Sequence, residues 1–169
     1  MKKIILIVAL IATGFVQKTF AQDSTAQYLQ KVITDYLNVK NALTKDNADS
    51  VSAYAKALSA NLQSMPMEKF SADKHEIWDQ YYEALINDAK EIGSNAELKH
   101  QREHFADLSS TFYKMAKAME MNTVDLYYQY CPMADAYWIS EKSKIVNPYM
   151  GKKMPTCGST KETLKAKNK

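Results

Sequence analysis

The sequence predicts a mainly α fold: an antiparallel up-down four-helix bundle, followed by a carboxyl-terminal irregular or short-β segment carrying two cysteines. Three observations predict it. Four successive stretches repeat apolar side chains at spacings of three and four, which gathers them in one stripe per helix. Glycine and proline number only 4 each in 169 residues, too few for a turn-rich sheet protein. Beyond Asn122 the helical period stops, and both cysteines follow among prolines and methionines.

The chain opens on Met1-Lys2-Lys3, an apolar run from Ile4 to Val16, and Thr19-Phe20-Ala21 before the polar Gln22-Asp23. A positive start, a short apolar run and a small-x-small end are the parts of a secretory signal peptide. Residues 1–21 are therefore expected to be a cleaved leader, and 22–160 a single domain. The run is shorter than the roughly 20 apolar residues a membrane span needs, and no cysteine near the cut offers a lipid anchor. Export places the protein in the periplasm or outside the cell. Lys2, Lys3 and Lys18 leave with the leader, which reduces 22 basic residues to 19 against 19 acidic ones. A formally neutral chain gives no electrostatic ground for a nucleic-acid or membrane-surface partner. Residues 161–169 are expected to be a basic disordered tail.

The first helical stripe is Tyr28, Val32, Ile33, Tyr36, Val39 and Leu43. Asp46-Asn47 breaks it from the second: Val51, Tyr54, Ala55, Leu58 and Leu62. Pro66 ends that helix, because proline lacks an N–H and obstructs the preceding turn. Ser71 is placed to cap the third stripe, which runs Trp78, Tyr81, Tyr82, Leu85, Ile86, Ala89 and Ile92. Gly93 suits a left-handed C-terminal stop, and Ser94-Asn95-Ala96-Glu97 reads as a capping box for the fourth helix. Leu98, Phe105, Leu108, Phe112, Met115 and Met119 form its stripe. Short connections between amphipathic helices imply antiparallel neighbours. Next, Val124–Tyr130 and Ala136–Ile139 are β-branched and aromatic, and read as short extended pieces in an irregular or short-hairpin layer packed on the bundle.

The segment that bears chemistry is Cys131-Pro132-Met133, then Asn147-Pro148-Tyr149-Met150 through Met154-Pro155-Thr156-Cys157-Gly158. Thiolate and thioether sulfurs are soft donors that suit Cu(I). In an extended strand Cys131 and Met133 share a side, and a tight turn brings Met154 to Cys157. An oxidising compartment equally favours a Cys131–Cys157 disulfide, with the methionines as packing. Both readings stay open on the residues alone.

These residues also carry a resemblance. Tyr130-Cys131-Pro132-Met133-Ala134, Ala136-Tyr137-Trp138-Ile139-Ser140, Ile145-Val146-Asn147-Pro148-Tyr149, Met154 and Cys157-Gly158 resemble the carboxyl-terminal signature of the DUF3347 family. Gln101-Arg102-Glu103-His104-Phe105 with Leu108-Ser109 resembles its helix motif, and the likeness runs from about Tyr28 to Gly158. Two departures are a short loop between Ala134 and Ala136 and Met150 where an aromatic is usual. The family has no established activity. Its occurrence alone in exported bacterial proteins, and on adaptors of heavy-metal efflux pumps, implies Cu(I) or Ag(I) as ligand. It also implies such an adaptor as partner, and Cys131, Met133, Met154 and Cys157 as metal ligands, with His104 a weaker addition. An enzyme is not expected, since no catalytic constellation is visible in the residues.

Other patterns are weaker. His100-Gln101-Arg102-Glu103-His104 matches H-x-x-E-H, but the chain is short for such a protease and the histidines read as a solvated helix face with Arg102 and Glu103. Met65-Pro66-Met67 reads as methionines closing the end of the bundle. His75 reads as exposed. The tyrosines read as core residues with polar tips. No Ser/His/Asp order, phosphate loop or C-x-x-C pair is visible.

Overall fold

The computed structural model describes residues 19–167, and side chains from Ala26 onward. The leader expected over 1–21 lies outside the described residues up to position 18. Four helices follow in order: α1 Thr19–Leu43, α2 Ala48–Gln63, α3 Ala72–Ser94 and α4 Leu98–Met119. Then come β1 Leu126–Cys131, β2 Ala136–Ser140 and β3 Ser159–Leu164, in one antiparallel sheet of order β2-β1-β3. The fold is mainly α with a small carboxyl-terminal sheet. Among the described residues no helix is long and apolar enough to cross a membrane.

The helical stripes fill the core. Val32, Ile33, Tyr36, Val39 and Leu43 of α1 are buried with Val51, Ala55, Leu58 and Leu62 of α2. Trp78, Leu85, Ala89 and Ile92 of α3 and Phe105, Leu108, Phe112, Met115 and Met119 of α4 complete it. Tyr28 and Tyr54 depart from the expected stripes and are exposed, since Leu29 takes the inward place in α1. Met65 is buried and Met67 packs against the core near Pro66, so these methionines do close the end of α2.

Three of the expected helix ends differ. The side chain of Asn47 caps α2 by accepting the Ser50 N–H at 3.0 Å. Ser71 stands at the start of α3 but makes no side-chain cap. Gly93 does not stop α3, which continues to Ser94. It sits instead against α2, where an added Cβ would lie 3.0 Å from Lys56 Cγ, so its smallness allows close helix approach. The capping box also fails: Glu97 is the first flanking residue of α4 with no side-chain cap. Asn95 bonds the Glu97 N–H at 2.9 Å in an Asx turn.

Of the two forms expected after Asn122, irregular or short hairpin, the hairpin is present, and a third strand extends it to a sheet. β1 and β2 form a hairpin closed by the Cys131–Ala136 pair, with Asp135 left-handed in its turn. β3 pairs along the other edge of β1, with an irregularity at Tyr128/Gln129. This overturns the disordered tail expected from residue 161. Lys161–Leu164 are strand, Leu164 is buried, and Glu162 accepts hydrogen bonds from Tyr113 at 2.5 Å and Lys117 at 2.8 Å. The chain stays tied as far as Lys167, whose N–H bonds the Asn122 carbonyl at 3.3 Å.

Tyr36 joins the helices to the sheet. Its ring stacks on Phe112 at 4.4 Å. Its hydroxyl meets Ser109 Oγ at 2.7 Å and accepts the Ile139 N–H at 3.0 Å. That N–H lies on the edge of β2 away from β1, so α1 and α4 cover the edge and satisfy a donor that would otherwise be orphaned. Tyr113 of α4 stacks on Tyr128 of β1 at 3.7 Å, and Tyr128 on Tyr137 of β2 at 4.8 Å. These tyrosines form a row on the sheet rather than helical core.

Candidate functional site

Cys131 ends β1 and is fully buried, while Cys157 is half-buried in the turn before β3. The sequence separates them by 26 positions, and the fold brings their Sγ atoms to 3.1 Å. Both are free thiols. The hairpin fixes Cys131. The segment 147–158 holds only one short 3-10 turn, Gly151–Lys153, so side chains and turns must fix Cys157.

Asn147 is the main support. It is fully buried and donates from Nδ2 to the Cys157 carbonyl at 2.7 Å. Its Oδ1 accepts the N–H groups of Tyr149 at 2.8 Å and Met150 at 3.0 Å. Its own backbone N–H bonds the Pro155 carbonyl at 2.8 Å. One side chain thus staples both ends of the loop. Gly158 supplies the second condition. It has φ +140, and a Cβ there would fall 2.8 Å from the Tyr130 carbonyl oxygen and 2.9 Å from Trp138 Cη2. Only glycine lets the chain after Cys157 lie this close to β1.

A third support comes from the helices. Asp46, left-handed between α1 and α2, pairs with Arg102 of α4 and accepts the Lys152 N–H at 3.0 Å. Arg102 Nε donates to the Pro148 carbonyl at 2.9 Å. Gly151 fits beneath this pair, where a Cβ would overlap Asp46 Oδ1. The solvated role expected for Arg102 is therefore wrong: it clamps the cysteine-bearing loop to the bundle. Gln101 is also interior, donating to the Asn95 carbonyl at 2.8 Å and Ser52 Oγ at 2.9 Å.

The two thiols are unequal. Burial pushes the Cys131 thiol up, but bonds from Cys157, from the Asn147 side chain and from the Ala134 and Met133 N–H groups outweigh it and hold it below its ordinary value. The bond to Cys131 pushes the Cys157 thiol up, with burial adding to it. Cys131 is thus the first to ionise, and Cys157 donates its proton toward it. A thiolate is the form that attacks disulfides and binds metal.

The methionines stand at the rim. Met133 is 66% exposed and Met154 36% exposed. The Met133 backbone N–H, rather than its thioether, meets the cysteine sulfurs. Met154 joins the Cys157 turn through its carbonyl, 3.4 Å from the Cys157 N–H. His104 is placed elsewhere. Its Nδ1 bonds Asp88 Oδ1 at 3.0 Å across α3 and α4, and its ring lies 4.6 Å from that of His100. It belongs to a separate cluster because α4 turns that face toward α3, not toward the sheet.

Asn147, Gly158 and Arg102 shape the site without being ligands. Each stood inside the quoted motifs, but none bears a metal-binding sulfur. Replacing Asn147 by alanine removes all three side-chain bonds and leaves buried N–H groups unpaired. At about 1 kcal/mol per lost bond it is expected to lower stability by about 2–3 kcal/mol in urea unfolding. It should also make Cys157 react faster with a thiol reagent than in the parent.

The family model described as a protein of unknown function, DUF3347, matches residues 32–123. The match spans the helices from within α1 and stops before β1, so both cysteines lie beyond it. No curated protein and no solved structure matches the chain.

Proposed function

The chain belongs to the DUF3347 family, and from that premise we propose that it is an exported, non-enzymatic binder of a soft monovalent metal ion, Cu(I) or Ag(I). The Cys131–Cys157 pair carries this reading: two sulfurs 3.1 Å apart, one of them favoured as thiolate and the other half-exposed, at the end of the sheet's central strand. Thiolates at about 2.3 Å from a tetrahedral metal stand about 3.7 Å apart, so the pair needs only a small opening to take an ion. Met133 and Met154 are exposed thioethers flanking the pair, and an exposed methionine beside soft ligands is suited to complete a coordination shell or to hand an ion on. His104 is not part of this ligand set.

The leader at 1–21 is the basis for a periplasmic or released protein. An adaptor of a heavy-metal efflux pump is the partner that the family resemblance suggests. The helices are read as an antiparallel up-down bundle, supported by the packing of α1 on α2, α2 on α3 and α3 on α4 through short connections.

A second reading has its own observation. Bonding the sulfurs needs an approach of only about 1 Å, and a disulfide over this separation stabilises by about 3.5 kcal/mol in the chain-entropy model. The protein is then a structural or docking module stapled at Cys131–Cys157. One experiment separates the two: competition for Cu(I) against a chromophoric chelator, on the reduced chain. Metal binding predicts one ion held per chain and a loss of affinity beyond about 100-fold in the Cys131→Ser/Cys157→Ser variant, more than outer-shell changes produce. Tight binding that survives both replacements would sink the ligand assignment. No binding at all, with a midpoint that falls on reduction, leaves the staple.

A further inference from the structure

The second cluster of metal-type ligands lies between α3 and α4, away from the sulfurs. His100 and His104 are one turn apart on α4 and therefore share a face. Asp88 and Glu91 of α3 face them across the helix pair. The ligand atoms of Glu91, His100 and His104 all lie within 4.8 Å of one another. His100 Nε2 is shut off from solvent and has no hydrogen-bond partner. The Glu91 carboxylate stands 3.5 Å from it, within ion-pair reach but without a hydrogen bond. A buried, unpaired imidazole nitrogen costs free energy that a pairing group would return.

We propose that Glu91, His100 and His104 form a binding site for a divalent transition-metal ion of the zinc class, independent of the cysteine pair. Two imidazoles and one carboxylate are a recurrent zinc donor set that leaves a further position open. Donor atoms about 2.1 Å from a tetrahedral ion lie about 3.4 Å apart, so side-chain rotations of about 1 Å draw this cluster into range. The ion answers the observation that an ion pair leaves unexplained, because His100 Nε2 gains a ligand bond.

The surroundings support the assignment. His104 Nδ1 is bonded to Asp88, which leaves Nε2 as the free ligand atom; a carboxylate that orients a ligating histidine in this way is the usual outer partner of zinc. Asp88 and Glu91 set two carboxylates against the two imidazoles, and a divalent cation suits that arrangement of charge. Glu103, the acidic residue of the H-x-x-E-H match, is exposed and pairs with Lys99 at 3.9 Å. The carboxylate ligand comes from α3 instead, so the site is not that of an H-x-x-E-H protease.

The test is zinc affinity by competition with a chromophoric chelator, on the full chain without added histidines, followed by the Co(II) absorption spectrum. The expected result is one zinc per chain that persists in the Cys131→Ser/Cys157→Ser variant. The Co(II) form of that variant should show visible d–d bands without thiolate charge transfer. His100→Gln/His104→Gln should abolish binding, and Asp88→Asn should weaken it by about 10–100-fold. Glu91 is exposed, so Glu91→Gln tests the ligand set without risk to the fold, and circular dichroism checks the histidine variants. Unchanged zinc affinity in Glu91→Gln and in the histidine pair, or loss of binding in the cysteine pair alone, would overturn the proposal.

Discussion

Gly158→Ala is expected to lower the unfolding free energy by more than about 3 kcal/mol and to draw Cys157 away from Cys131. Two costs add. A backbone at φ +140 is nearly closed to a side-chain-bearing residue, at about 1–3 kcal/mol. The new Cβ would then stand 2.8 Å from a backbone carbonyl oxygen and 2.9 Å from the fully buried ring of Trp138, neither of which is a flexible side-chain end that can swing aside. Relief requires the turn to lift off β1, and Cys157 lifts with it. Urea unfolding reads the first effect. The rate of disulfide formation under a mild oxidant reads the second, and it should fall in the variant. Gly93→Ala is the comparison. Its Cβ would meet Lys56 Cγ at 3.0 Å and the Lys56 backbone nitrogen at 3.4 Å in an ordinary helical backbone, and alanine is the better helix former by about 1 kcal/mol. The two terms oppose, so the net change should stay within about 1 kcal/mol. A Gly158→Ala chain as stable as the parent, with unchanged cysteine pairing, would show that the close approach to β1 does not hold the site.

This contrast also marks what could be read in advance. The helices were legible because their stripes are local: apolar residues three and four apart suffice to place Val32 to Leu43 or Phe105 to Met119. β3 was not. Ser159-Thr160-Lys161-Glu162-Thr163-Leu164 has one buried side chain, and as an edge strand it carries charges that make it resemble a tail. Its order comes from pairing with β1, distant in sequence, which no local signal announces. The same division runs through the site. A link between Cys131 and Cys157 was legible from their residue type, while their contact depends on Asn147 and Gly158, whose roles exist only once the loop is folded. The histidines were visible as an i, i+4 pair, but the Asp88 and Glu91 that turn them into a cluster belong to another helix. Arg102 looked like a surface charge because nothing local reveals that Asp46 and the Pro148 carbonyl lie beside it.

The second large effect is expected at Lys40. This lysine sits within α1 at 2% exposure, and its ammonium meets Glu141 at 2.6 Å, with Ser140 Oγ at 3.5 Å. Burial outweighs the carboxylate at Lys40 and makes its ammonium easier to deprotonate than a free lysine. At Glu141 burial acts upward, but the Lys40 bond and charge prevail and hold its carboxyl below the usual range. The pair therefore stabilises the charged carboxylate while still bearing a net cost of burying the ammonium. Removing one partner is worse than removing both interactions together. Glu141→Gln leaves the ammonium buried with an amide in place of its counter-charge, and is expected to cost about 3 kcal/mol at neutral pH. Lys40→Met fills the same space without charge and frees Glu141, which keeps a 26% exposed side chain, to turn toward water. Its stability should equal or exceed that of the parent.

The pH dependence follows from the same two directions. With its folded value depressed, Glu141 contributes stability that is present above its unfolded value of about 4.3 and lost as pH falls through the folded value. That acid-side loss should disappear in Glu141→Gln. Lys40, also depressed, binds its proton less well folded than unfolded, so stability rises with pH between its folded value and about 10.4. The rise should steepen and begin at lower pH in Glu141→Gln, where no carboxylate supports the ammonium, and vanish in Lys40→Met. Urea midpoints across pH for the three chains decide it. A Glu141→Gln chain whose stability matches the parent at neutral pH would mean that the ammonium reaches water, and that α1 is held to the end of β2 by Tyr36 and its Ile139 bond rather than by this ion pair.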